Sequence, residues 1–450
     1  MPREMKDSGV EWIGEIPRHW DIVRMKSCIS QRDSGAWGEE AQGEIGDEIC
    51  LRIADFNYAT FRFKNPPIEE LTKRHYTKET IEYLKLQKND ILIEKSGGGE
   101  KTPVGRTVIF DKEYTALYAN FMDRLRCAYF VLPMFMQCVF VTFYKNDYTR
   151  NYIKQTTGIQ NLDLTSMLSQ ESVPLPPIEE QEAIADFLDK QCAEIDSVIE
   201  QTKATIEEYK KLKQSVITEV VTKGIRGPRP MKDSGIEWIG EIPSEWEIIP
   251  FRYALKEREE KNSPIKSTER LSLSIDLGVT LYAEKTTNLD RFKDDFEQYK
   301  LAHIGDLVMN SMNMIVGATG VSKYDGCVSP AYYTFYDEVE DHITVRYCEY
   351  IFRSKTMLRV LYSLGKGIYA IVRGDDRVNT CRLKVSKEDL KSIKIPFPCI
   401  DEQRKIVTYL DQKCAEIDLL IEKKTALLEE LETYKKSLIY EYVTGKKEVV

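Results

Sequence analysis

Apolar residues recur at helical spacing through one long stretch, residues 179–222, that contains neither Gly nor Pro. Leu188, Ile195, Thr202, Tyr209 and Val216 fall seven residues apart. Ile184, Gln191, Val198, Thr205 and Leu212 mark a second seam, and Ile199 and Ile206 widen the stripe. Pro176 and Pro177 stop the preceding segment, Glu179, Glu180 and Glu182 suit the positive end of a helix, and Gly224, Gly227 and Pro228 end it. Such a rod would be roughly 60–65 Å long, too long to lie buried in one small domain. The pattern returns without a gap at residues 401–444, offset by 222: Glu180-Gln181 matches Glu402-Gln403, and CAEID at 192–196 matches CAEID at 414–418. The second rod has seams at Leu410, Ile417, Lys424, Leu431 and Leu438, and at Ile406, Lys413, Leu420, Leu427 and Tyr434. Polar Gln191, Thr202, Lys413 and Lys424 interrupt them, which suits fixing a register.

A second match opens each half: MKDSGVEWIGEIP at 5–17 recurs as MKDSGIEWIGEIP at 231–243. The order is globule (1–178), rod (179–226), globule (227–399), rod (400–450). Solenoid repeats run to about 20–50 residues, so this period marks duplication of a whole unit. The fold expected is α+β: two similar mixed α/β globules and two long helices. Pairing through Leu188, Ile195, Tyr209 and Val216 against Leu410, Ile417, Leu431 and Leu438 would run antiparallel and relate the halves by a pseudo-two-fold axis.

In the first globule Trp12, Ile13, Ile16 and Trp20 read as an apolar lid before a strand at 22–25. Residues 31–48 read as a Gly-rich surface loop, 78–86 and 131–146 as helices, and 91–93 and 108–110 as strands around a loop at 97–99. A basic, amide-rich tail follows at 150–161. The second globule repeats this grammar, Asp306 standing for Asp90, but its loops differ.

Hydrophobic residues at 42% fill two cores, no apolar run reaches membrane-spanning length, and no hydrophobic leader opens the sequence. Ten scattered cysteines without CxxC spacing read as reduced thiols of a cytoplasmic protein. The rods carry 12 Lys and Arg against 21 Asp and Glu, which is the whole net charge of −9; the rest of the chain balances at 52 of each. Neutral globules are not general polyanion binders, so nucleic-acid contact must come from local patches or from a partner.

Chemistry-bearing motifs fail one by one. GGGEKT at 97–102 has Glu100 where a phosphate loop needs Gly before Lys. NPPI at 65–68 lacks the aromatic ring that stacks on a flipped base. His19, His75, His303 and His342 stand alone, and Asp375-Asp376 reads as a solvated loop pair. No catalytic, cofactor or metal site is expected. What remains are side chains that read base edges and grip phosphates. Lys95, Ser96, Lys101, Thr102 and Arg106 form one cluster, and Arg150, Asn151, Lys154, Gln155, Gln160 and Asn161 another. Their counterparts are Asn310, Ser311, Asn313 and Lys323, then Lys366, Tyr369, Arg373, Arg377 and Asn379.

EWIGEIPxxW opening a globule, PLPPIxEQxxIAxFLD entering a long helix, and YKK…SxIxEVVTxG closing it, in duplicated order, resemble the DNA-specificity subunit of type I restriction–modification systems. The resemblance spans essentially the full chain. It implies a non-catalytic protein whose two target-recognition domains each read half of an asymmetric, bipartite site on double-stranded DNA. The helices would bind two methyltransferase (M) subunits, and restriction/translocase (R) subunits would join. S-adenosylmethionine, ATP and Mg²⁺ would then sit on partners. A coiled-coil scaffold whose globules bind proteins is the alternative from another class, and a self-contained nuclease or methyltransferase is a third.

Overall fold

The computed structural model describes residues 3–100, 102–156, 158–225, 227–275, 277–285, 295–338, 341–367 and 383–449. Both rods form as single helices, Ile178–Lys223 and Ile400–Val443, each bound within one residue of the span read from periodicity. The chain packs as two compact units, Met1–Ala204 with Thr425–Val450, and Thr205–Lys424. The boundary between units therefore falls within the rods, not at their ends, and each rod is shared.

In unit 1 the repeated opening motif folds into a hairpin, Met5–Asp7 against Glu15–Pro17. Its apolar residues Trp12, Ile13, Ile16 and Trp20 are buried in one core with Leu188 and Ile195 of the first rod and Leu438, Ile439 and Val443 of the second. A four-stranded antiparallel sheet lies behind, in the order Thr107–Ile109, Ile91–Glu94, Met122–Cys127, Ile29–Ser34. Pro133–Lys145 supplies the expected helix. Ser172–Leu175 pairs with Asp21–Arg24 and delivers the chain to the rod.

Unit 2 repeats the plan. Met231–Asp233 pairs with Glu241–Pro243 in the same register, and the sheet order is Thr319–Val321, Leu307–Asn310, Tyr332–Tyr336, Lys256–Glu257. Lys394–Phe397 pairs with Glu247–Pro250 before the second rod. Its core joins Ile239, Ile242 and Trp246 of the lid to Ile217, Val220 and Val221 of the first rod and Ile406, Val407 and Leu410 of the second.

The repeated motifs meet each other in space, which explains why they recur together. Trp20 Nε1 donates to Glu180 at 3.0 Å, and Trp246 Nε1 to Glu402 at 3.0 Å. Arg3 completes the first cluster and Arg229 the second. Gln181 Nε2 donates to the Pro176 carbonyl at 2.9 Å, and Gln403 Nε2 to that of Pro398 at 2.8 Å, so the amide after each Glu ties down the helix entrance.

Two expectations need correction. Residues 31–48 are not a loop throughout: Ile29–Ser34 is a strand of the unit 1 sheet. Its alternation was masked because inward positions are charged; Asp33 is buried against Arg124 at 2.5 Å. The second seam holds only at the start of each rod, where Ile184 and Ile406 are buried. Val198, Leu212, Leu420 and Tyr434 are 43, 49, 42 and 52% exposed. Burial follows Ile195, Ile199, Thr202 and Ile206 instead, a drift that arises because 3.6 residues per turn does not divide seven. Of the first-seam residues, Leu188, Ile195, Leu410, Ile417 and Leu438 are buried, while Tyr209, Val216 and Leu431 are half-buried.

Candidate nucleic-acid interface

In unit 1 the loop at 97–99 and the tail at 150–161 come together. Ser96–Gly97, Ile159–Leu162 and Ile153–Thr156 form a three-stranded sheet. Its register sets Ser96 opposite Asn161 and Asn161 opposite Lys154, so these three side chains share one face. Ser96 Oγ donates to Asn161 Oδ1 at 2.7 Å, and Lys154 Nζ to Asp163 at 2.7 Å. Lys154 and the Ser166 N–H hold the Asp163 carboxyl down at about 2, so this ion pair persists throughout the neutral range.

Lys95 lies beside the row, its Nζ on the buried carboxylate of Asp123 at 2.7 Å and on Ser34 Oγ at 2.7 Å. Arg32 Nε reaches the same carboxylate at 2.7 Å. Asp123 thus holds two cations in fixed positions while their side chains keep 24% and 33% exposure. Phe121 is 48% exposed, and its carbonyl accepts the Lys95 N–H at 2.9 Å, which places a bare aromatic ring next to this polar cluster. Such a constellation offers an amide for adenine, cations for guanine or phosphate, and an apolar ring for a thymine methyl. Sequence reasoning missed Arg32, Ser34 and Phe121, which lie far from the tail in the chain.

Other candidates take different places. Arg106 is 7% exposed, and both arms of its guanidinium grip Glu94, at 2.6 and 2.7 Å. Burial pushes the Glu94 carboxyl above its ordinary range even though Arg106 opposes it. Arg106 therefore braces the strand behind the loop. Gln160 is also buried and accepts the Val104 N–H at 3.3 Å. Thr102, Asn151 and Gln155 are exposed, and Arg150 is exposed and paired with Asp147 at 2.7 Å. Lys101 lies outside the described residues.

In unit 2 Asn310 and Ser311 are buried at the end of the central strand. Asn310 Oδ1 accepts the Met312 N–H at 3.1 Å, and the Ser311 carbonyl accepts that of Val385 at 3.0 Å. Both shape the loop rather than face solvent. Asn313 and Lys323 are exposed, as is Lys366, which reaches Asp389 at 3.1 Å. Tyr369, Arg373, Arg377 and Asn379, with the Asp375-Asp376 pair, lie outside the described residues.

The matched aspartates do the same work in both units. Asp90 accepts the Gln87 N–H at 2.8 Å and pairs with Arg126; Asp306 accepts the His303 N–H at 2.8 Å and pairs with Arg258. Each closes the turn that starts the central strand. Among the described residues no group of three or more His, Cys, Asp or Glu is arranged to hold a metal ion. No described helix is long and apolar enough to cross a membrane.

Known proteins share this architecture. The family model described as "Type I restriction modification DNA specificity domain" matches residues 56–208 and 344–430. The chain is 24% identical over 455 residues to a putative type I restriction enzyme MjaX specificity subunit of Methanocaldococcus jannaschii, covering 96% of this chain and 95% of that protein. It is 26% identical over 318 residues to the MjaVIII specificity subunit of the same organism, covering 68% and 69%. Among solved structures, a chain from work on complex assembly and conformational transition of the type I R-M system superposes with a TM-score of 0.67 at 15% identity, covering 96% of this chain and 99% of that one. The HsdS subunit from Thermoanaerobacter tengcongensis gives 0.50 at 15% identity, covering 96% and 98%. With more than half of its residues under that family model, the chain belongs to the type I restriction modification DNA specificity family.

Proposed function

We propose that this chain is the non-catalytic subunit that selects the DNA target for a type I restriction–modification complex, each unit reading one half of an asymmetric, split site. A DNA-specificity role follows from family membership and from relatives named as specificity subunits. The observation that carries the split, asymmetric target is internal. The units share a lid, a sheet order and a Trp–Glu clasp, yet their solvent-facing polar residues differ: Ser96, Asn161 and Lys154 in one, Asn313, Lys323 and Lys366 in the other. Two scaffolds alike in fold and unlike in reading side chains recognise unlike half-sites.

On this reading the rods pair as an antiparallel coiled coil. Lys435 Nζ meets Asp196 at 2.5 Å in unit 1, and Lys213 Nζ meets Asp418 at 2.7 Å in unit 2. These pairs interchange under the 222 offset, and 196 with 435, like 213 with 418, adds to 631, as one antiparallel register requires. Exposed Val198 and Leu212, with their offset equivalents Leu420 and Tyr434, supply apolar contacts for two methyltransferase subunits. S-adenosylmethionine, ATP and Mg²⁺ belong to those and to the restriction subunits.

Methylome sequencing of a host carrying the complex tests the reading. With the chain, methylated adenines should lie in one split motif, absent without it. Replacing Asn161 and Lys154 together should change letters in one half only. Unchanged methylation on removing the chain would leave the scaffold reading in its place.

A further inference from the structure

Backbone pairing matches the polar row of unit 1 to a row in unit 2, residue by residue. Ile91 faces Leu125 and Glu94 faces Met122, as Leu307 faces Phe335 and Asn310 faces Tyr332. Lys95 and Ser96 therefore correspond to Ser311 and Met312. The Leu162 N–H donates to the Lys95 carbonyl at 2.8 Å, and the Val385 N–H to the Ser311 carbonyl at 3.0 Å. Val385 is thus the counterpart of Leu162, and Lys384 that of Asn161. Lys384 pairs with Lys366 through backbone bonds of 2.9 and 3.0 Å, as Asn161 pairs with Lys154. Leu383 and Val385 are buried on either side of exposed Lys384, the same alternation as Gln160, Asn161 and Leu162. The segments between the paired lysines and these positions differ in length, 155–160 against 367–383, which hides the match from the sequence.

One member of each row is common to both units, and the other is not. Lys154 and Lys366 are 75% and 78% exposed, and each reaches a carboxylate at the entrance of the short helix that follows: Asp163 at 2.7 Å and Asp389 at 3.1 Å. At the neighbouring position an amide stands in unit 1 and an ammonium in unit 2. Asn161 Oδ1 accepts a proton from Ser96 Oγ at 2.7 Å, whereas Met312 has none to give and Lys384 needs none. Among the described residues Lys384 pairs with no carboxylate.

We propose that Lys384 is a specificity-determining residue of unit 2 and selects a guanine in the half-site that this unit reads. The inference rests on the function proposed above, in which the two units read unlike halves of a DNA target. What both rows share grips what all DNA shares, so Lys154 and Lys366 fall to phosphates. What differs between the rows reads what differs between the half-sites. An amide both donates and accepts, which suits the N6 and N7 of adenine, whereas an ammonium only donates. In the major groove guanine offers two adjacent acceptors, N7 and O6. Adenine sets an amino donor beside its N7, and that donor meets a cation unfavourably.

The test uses the complex assembled with its methyltransferase subunits, methylome sequencing, and competition binding on duplexes that carry the motif so found. Lys384→Ala should make one guanine position of one half-site degenerate and lower discrimination there about tenfold, with the melting temperature unchanged. Lys384→Arg keeps the donors and should keep the guanine. Lys366→Ala should weaken all duplexes alike and change no letter. Replacing the guanine by 7-deazaguanine, which lacks N7, should weaken binding of the unmodified complex about fivefold and leave that of the Lys384→Ala complex unchanged. Uniform weakening by Lys384→Ala, no change at all, or relaxation of a letter other than guanine overturns the proposal. So does relaxation in the same half-site that Asn161→Ala alters. A complex that shows no split motif before Lys384 is replaced fails the function proposed above instead, so the two failures are separate results.

Discussion

Replacing Lys435 with Met tests how the rods are held in unit 1. Lys435 Nζ bonds Asp196 at 2.5 Å and the Ala59 carbonyl at 3.0 Å, and the two charged side chains are 6% and 16% exposed. Burial already raises the Asp196 carboxyl above its ordinary range, with Lys435 the chief opposing influence. Removing one partner of a buried pair costs about 3–5 kcal/mol because the other charge is stranded. The residual exposure of Asp196 and the well-tolerated apolar stem of Met point to the lower end, about 3 kcal/mol. For a unit of this size that is a fall in Tm of roughly 6–12 °C. The equivalent pair Lys213–Asp418 is 28% and 56% exposed, and Lys213→Met should cost under about 1 kcal/mol. A pH dependence separates stranded charge from lost packing. With Lys435 gone the folded-state pKa of Asp196 rises further above its unfolded value, so the penalty is full above the folded pKa and shrinks as pH falls toward the ordinary aspartate range. Calorimetry at pH 8 and pH 5 should show the smaller deficit at pH 5, and Asp196→Asn with Lys435→Met should recover most of the loss at pH 8. Equal costs for Lys435→Met and Lys213→Met, or a deficit that ignores pH, would refute this account.

Lys95→Ala should weaken retention of one half-site by about 1–3 kcal/mol in a gel-shift assay with the assembled complex, with melting nearly unchanged. Arg106→Ala should instead lower the melting temperature of unit 1 by stranding Glu94, and lose DNA only as folding is lost; a stable variant that fails to bind would restore Arg106 to the reading surface. Burial pulls the Glu180 carboxyl up, but His19, Trp20 and Arg3 outweigh it and leave it below its ordinary range. Its stabilisation is therefore present above the unfolded glutamate pKa and lost as pH falls through the lower folded value, so tryptophan fluorescence should report lid opening only below roughly pH 4. A chain cut at Gly227 should yield a first half that dimerises, because its rod end lacks a lid to cover; a monodisperse monomer in sedimentation would count against this.

The rods and the lids were legible because their information is local and periodic. The 222 offset placed Glu180 with Glu402, and those residues form the matched clasps. The strand Ile29–Ser34 was hidden, since the pattern that reveals a strand is apolar-in and polar-out, and here Asp33 points in, balanced by Arg124. The candidate interface could be proposed from composition, but the direction of its side chains could not. Lys95, Asn161 and Lys154 keep some outward reach, whereas Arg106 and Gln160, of equally suitable type, are turned inward by Glu94 and by the Val104 N–H. No spacing rule distinguishes an arginine that braces a strand from one that reads a base. Arg32 and Phe121 join the site only through strand pairing, which brings Asp123 beside Ser34.

Each lid is covered by the end of the other half's rod: Ile217 and Val221 pack in the core of Ile242 and Trp246, and Ile439 and Val443 in that of Ile16 and Trp20. Lys446 Nζ, near the last described residue, donates to the Ile13 carbonyl at 2.5 Å. Each lid therefore depends on sequence from the other half of the duplication for its cover. A circular permutant with new ends at 227 should therefore keep each lid with the rod end that covers it. The order in which the two halves are encoded is then immaterial to folding, and halves taken from different ancestors can be joined in either order provided their rod ends and lids remain matched.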